Sequence, residues 1–137
     1  MPYKGPEKRY ILRHHVTCIS VMFKRKRLMR STMTDLSRPC QLSDINWRGM
    51  RFYSPRKLSK GSIVEVTFDC PLDVESSDGA GPIRARIVWQ QWSTRHRAWR
   101  TGVQFVNVRD KTRDGILRMI DSAVEHEQKF RGDQDIL

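Results

Sequence analysis

The sequence predicts a mainly β protein: a small, six-stranded antiparallel barrel with one C-terminal α-helix. Three observations predict it. Short stretches of alternating apolar and polar residues recur along the chain, separated by breaks rich in Pro, Gly and Ser. The last long stretch changes to three- and four-residue spacing, the period of a helix with one apolar face. The length, 137 residues, suits one domain. Such a domain buries roughly two thirds of its unfolded surface and needs no disulfide or metal to hold a core.

Each element has its own reason. Residues 1–13 hold Pro2, Gly5 and Pro6 with little apolar periodicity, and read as a flexible N-terminal arm. From His14 to Phe23, the residues Thr17, Ile19, Val21 and Phe23 alternate, which predicts a first strand. The run Lys24-Arg25-Lys26-Arg27 and the polar residues up to Pro39 read as a long basic loop. Two short strands follow, Cys40–Asn46 and Met50–Tyr53, joined by a turn containing Gly49. Ile63–Phe68 places Val64, Val66 and Phe68 on one face. Residues 71–82 have loop composition. In Ile83–Trp92, Ile83, Ala85, Ile87 and Trp89 face one way and Arg84 and Arg86 the other. Trp99–Val108 is the sixth strand. From Thr112 to Phe130, Ile116, Leu117, Ile120, Ala123 and Val124 form a helical stripe, with Thr112 as its cap and Gly115 costing about 1 kcal/mol relative to alanine. Residues 131–137 read as a polar tail, so the barrel and helix span residues 14–130. Strands at this spacing favour a barrel, because closure removes exposed edges.

Charge is the strongest bulk signal. Lys and Arg total 26 against 15 Asp and Glu, a net +11. Residues 1–60 carry 15 basic and 3 acidic side chains; the remainder carries 11 and 12. A field this uneven draws anions to one part of the surface. Three cysteines without a CxxC pair exclude a disulfide framework and a zinc knuckle. His14 and His15, as strand neighbours, point to opposite faces and do not converge on one metal ion. No apolar run reaches the ~18 residues of a membrane span. The charged N-terminus lacks a signal peptide's apolar centre, and the expected location is the cytoplasm. HExxH, P-loop and GxSxG patterns are absent, so nothing argues for an enzyme or a cofactor.

Two short patterns carry chemistry. Arg9-Tyr-Ile-Leu-Arg13 is an RxxxR in the arm, where two guanidinium groups can fold over an anionic ligand. A second RxxxR, Arg109 to Arg113, flanks the start of the helix and reads as solvated. Asp44-Ile-Asn46-Trp-Arg-Gly49 is a DxNxxG running into a turn. There Gly49 is free to take a positive φ or to let a ligand approach the backbone, while Asp and Asn also build ordinary turns.

In this order and on this scaffold, the two patterns resemble the signatures of the PilZ domain family, RxxxR and [D/N]xSxxG. Arg13 and Asp44 are 31 positions apart, within the family's range. Ile45 and Met50 occupy the family's apolar places. Arg86-Ile-Val-Trp89 is similar to its fifth strand, and residues 101–108, TGVQFVNV, to its sixth. The resemblance spans residues 7–125. It departs at Asn46, where the family usually has Ser, and at Arg48, where it often has a second Gly.

The resemblance implies a split PilZ-like barrel that is a non-enzymatic receptor for cyclic di-GMP, a bacterial second messenger. Arg9 and Arg13 would pair with guanine or phosphate. Asp44 would accept from the guanine N1–H and N2–H₂ donors, and Asn46 would lie near a phosphate or the backbone beside it. Gly49 would permit close approach, with Lys8 and Arg48 as additional phosphate contacts. Signalling would order the arm on binding and change the surface seen by a downstream protein. Two other readings stay open. One is a PilZ-like protein-interaction domain without the ligand. The other is a single-stranded nucleic-acid binder using the basic residues 1–60 and Trp47.

Overall fold

The computed structural model describes residues 14–25, 36–76 and 82–135, with side chains up to Lys129. The expected arm, with Lys8, Arg9 and Arg13, and most of the basic loop lie outside the described residues. Six strands follow in order: β1 (Ser20–Arg25), β2 (Cys40–Asn46), β3 (Gly49–Ser54), β4 (Ile63–Asp69), β5 (Ile83–Ser93) and β6 (Ala98–Phe105). They close a barrel in the order β1-β2-β3-β6-β5-β4, with every pairing antiparallel. The helix α1 (Asp110–Asp135) follows β6 and lies against β2. The expected barrel with its C-terminal helix is the observed architecture.

Alternation builds the core. Val64, Val66 and Phe68 on β4, Ile83, Ala85 and Ile87 on β5, and Val103 and Phe105 on β6 all point inward and are buried. Phe23 and Phe52 meet across the interior with ring centroids 5.5 Å apart. Burying each such large side chain contributes about 1.5–3 kcal/mol. The helix adds Ile116, Met119, Ile120 and Ala123 to the core, while Leu117 and Val124 are half-buried. β1 pairs with β4 along its whole length, Ser20–Asp69 to Arg25–Val64, but with β2 at Ser20–Gln41 and Val21–Cys40. Ser37 extends that second contact: its N–H donates to the Phe23 carbonyl, and the Phe23 N–H donates to its Oγ at 2.9 Å.

Several boundaries differ from expectation, each for a visible reason. The first strand begins at Ser20 rather than His14. Val16 and Ile19 are both buried, a spacing of three that breaks strand alternation. The Thr17 and Cys18 N–H groups donate to the Glu127 carboxylate on α1 instead of to a neighbouring strand. The sixth strand ends at Phe105 rather than Val108, because Asn107 turns left-handed at φ 55°. Trp89 does not continue the inward phase of β5, since a bulge between Ile87 and Trp89 shifts the register. Its indole instead lies against Gly102, where a Cβ would come within 2.4 Å of the ring nitrogen. The helix begins at Asp110, so Thr112 is inside it and does not cap it. It runs on to Asp135, through most of the segment read as tail. Polar residues do not stop a helix that is already propagating, and Gly132 costs it only about 1 kcal/mol.

Candidate functional site

The site begins at the β2–β3 hairpin. Trp47 and Arg48 form a two-residue turn, and Asn46 pairs with Gly49 across it. The Asn46 side chain is buried, and its Oδ1 accepts from the Arg48 N–H at 2.8 Å and the Gly49 N–H at 3.0 Å. Asn46 therefore holds the turn that it opens, as Asx residues do. Gly49 is required for a different reason from the one expected. Among the described glycines, positive φ belongs to Gly61, not Gly49. A Cβ on Gly49 would stand 2.2 Å from the Val103 carbonyl oxygen, so the close approach is made by strand β6 itself.

A two-residue turn dictates what lies behind it. If Asn46 faces Gly49, Asp44 faces Arg51, and the structure pairs them. Arg51 Nε donates to Asp44 Oδ1 at 2.9 Å, and Nη2 lies 2.5 Å from Oδ2. This is the forked guanidinium–carboxylate geometry, with Asp44 buried and Arg51 half-buried. The hydrogen bond from Asp44 holds the Arg51 guanidinium above its ordinary pKa, against a smaller opposing effect of burial. Ser43, also buried, sits at a register shift between Leu42 and Asp44.

The chain enters this hairpin from the N-terminal side. His14 forms an antiparallel bridge to Ile45, donating its N–H at 2.9 Å and accepting the Ile45 N–H at 3.1 Å. Residue 14 is thus fastened between Asp44 and Asn46. On the outer face of the adjoining sheet, a cavity of about 280 Å³ is lined by Arg48, Gly49, Arg51, Trp89, Gly102 and Gln104, among others. Arg100 stands 6.0 Å from the Trp89 ring, and its buried Nε has no hydrogen-bond partner among the described residues. Trp47 packs on the core, with Arg48 at 5.2 Å and Arg113 of α1 at 5.9 Å from its ring.

Of the residues expected at the site, Asp44, Asn46, Arg48 and Gly49 come together at this hairpin, whereas Lys8, Arg9 and Arg13 lie outside the described residues. Arg51 and Trp89 were not foreseen. Arg51 was legible, since counting outward from a two-residue turn places it opposite Asp44. Trp89 was not, because the bulge that turns it outward leaves no mark in the alternation. A flat indole beside guanidinium groups, one of them forked onto a buried carboxylate, suits a planar heteroaromatic ligand that carries negative charge. No group of three His, Cys, Asp or Glu side chains able to hold a metal occurs among the described residues.

No curated protein matches the chain. The crystal structure of YcgR from Escherichia coli in complex with c-di-GMP is similar at a TM-score of 0.57 and 15% identity, over 90% of this chain and 48% of that one. The PilZ domain of YcgR with c-di-GMP, also from Escherichia coli, is similar at 0.57 and 16%, over 89% of this chain and 95% of that one. The PilZ domain family matches residues 9–122, from the first arginine of the RxxxR into the C-terminal helix, and the chain belongs to that family.

Proposed function

We propose that this protein is a non-enzymatic receptor for cyclic di-GMP, and that the ligand is gripped between the N-terminal arm and the β2–β3 hairpin. The observation that carries this reading is the His14–Ile45 bridge, which ties the residue after Arg13 beside Asp44. Membership of the PilZ family and the c-di-GMP in both YcgR structures support it.

The chemistry divides among the residues. Arg9 and Arg13 supply forked donors for guanine O6 and N7 or for phosphate, and planes that stack on the base. Asp44, an acceptor-only side chain when ionised, is the group suited to the N1–H and N2–H₂ donors of guanine. Arg51 fixes the carboxylate in place through the forked pair. Asn46 and Gly49 shape the turn, while Arg48 and Lys8 add positive charge for phosphate. Binding orders the arm over the barrel and presents a new surface to a downstream protein in the cytoplasm.

Calorimetry tests the reading. Cyclic di-GMP binds the wild type and GMP does not. Arg13→Ala loses one charge-assisted contact worth about 1.5–3 kcal/mol, roughly a 10- to 150-fold weakening. Equal affinities for wild type and variant would remove the arm from the site. Absence of cyclic di-GMP binding by the folded wild type would overturn the receptor.

A further inference from the structure

A second basic and aromatic surface lies at the other end of β3. Gly49, beside the turn, pairs with Gln104, whereas Ser54 at the far end pairs with Trp99. Five residue steps of strand separate the two ends, about 17 Å. Beyond Ser54 the β5–β6 hairpin projects from the barrel, with Trp92 opposite Trp99 and Ser93 opposite Ala98. Trp92 is 49% exposed and Val88, four residues earlier on the same strand, is 38% exposed.

The segments that build this surface carry cations and no acids. Asp and Glu are absent from residues 45–64 and from residues 79–109. Arg56, Lys57, Arg95 and Arg97 are exposed, and among the described residues none of them has an ion-pair partner. Lys57 stands 5.4 Å from the Trp99 ring.

Among the described residues, the outer edge of β5 is open here. β4 pairs with β5 from Val66–Ile83 to Ile63–Arg86, and Gly61 and Ser62 extend the ladder to Ile87. Past Ile87, no main-chain hydrogen bond reaches that edge among the described residues. The loop's Leu58 N–H bonds the Gln90 side chain instead. An edge of six residues, Val88–Ser93, thus offers main-chain donors and acceptors beside two exposed apolar side chains. Edge cations oppose pairing between copies of the same strand and favour an acidic one.

We propose that this edge docks an extended acidic segment of a partner protein, which adds as a strand along Val88–Ser93 with its carboxylates toward Arg95, Arg97 and Lys57. Single-stranded nucleic acid fits less well. Trp92 and Trp99 meet edge to face, 5.4 Å apart at 69°, and so form no parallel platform for successive bases. A strand edge also offers directional main-chain pairing that an oligonucleotide does not return. The docking surface borders the cavity at the β2–β3 hairpin through Val88 and otherwise runs away from it, toward Trp92 and the β5–β6 turn.

Amide NMR of the full chain tests the proposal, with a short synthetic peptide in which glutamate alternates with valine as the probe. Shifts confined to Val88–Trp99 are expected, with no shifts from the same peptide carrying lysine for glutamate. The double variant R95E/R97E should weaken binding about tenfold or more, while K111E/K129E, an equal charge change on the helix, weakens it less than about twofold. No shifts with the acidic peptide, equal weakening by both variants, or tighter binding of a short oligothymidylate at the same amides would each overturn the proposal.

Discussion

Single residues in this protein do work that their chemistry alone does not announce. Gly49 sits where the family signature places it, yet the space it spares is taken by the Val103 carbonyl, 2.2 Å from where a Cβ would be. Main chain cannot swing aside as a side chain does. Gly49→Ala should therefore cost about 2–3 kcal/mol in urea denaturation, whether or not ligand is present. A loss of ligand affinity at unchanged stability would instead assign the glycine to the ligand. The motif was readable in the sequence; the reason for its glycine was not, because Val103 on β6 is 54 residues away in the chain. Asn46 carries the same lesson. Its amide oxygen serves the turn through the Arg48 and Gly49 N–H groups, so its place in the pattern is first a folding requirement.

At the scale of elements, the segment before β1 and the helix are fastened by one carboxylate. Glu127 accepts from the Thr17 N–H, the Thr17 hydroxyl at 2.7 Å and the Cys18 N–H at 3.1 Å. Burial, and then the charge of Glu127, push the Cys18 thiol above its ordinary pKa. Glu127→Ala should cost about 2 kcal/mol of stability. Glu127→Gln should raise the rate of Cys18 alkylation near pH 8, since removing the negative charge lowers the thiol pKa and increases the thiolate fraction. An unchanged rate in a folded variant would show that the carboxylate does not act on the thiol. Alternation read β4 and the first half of β5 well, because both bury one face against a single core. It failed where that premise failed. Val16 and Ile19 are buried by a bend rather than a strand, and Trp89 is displaced by a bulge. Met119 escaped the stripe of branched apolar residues, although it is as buried as Ile116.

Over the whole molecule, the fold was legible because barrel closure follows from strand number and spacing, and helix placement from period. The site was legible in part: the hairpin supplies Asp44, Asn46, Arg48 and Gly49 from adjacent sequence, whereas the Trp89 wall comes from β5 through a register shift. The ring of strands is also unequal around its circumference. β1 holds β4 over its full length, but on its other side the Phe23 N–H ends on the hydroxyl of Ser37. A cylinder whose β1–β2 flank holds two paired positions and the Ser37 contacts, against six paired positions on the β1–β4 flank, has a natural place to split. In hydrogen exchange the Phe23 amide should release its proton before the amides of the β5–β6 ladder. Ser37→Ala should quicken Phe23 and leave that ladder unchanged; equal quickening of both would mean that the cylinder opens everywhere at once. Breathing along this line would let β1 lean away with β4 while the β2–β3 hairpin keeps its shape, so one side of the barrel loosens without disturbing the other.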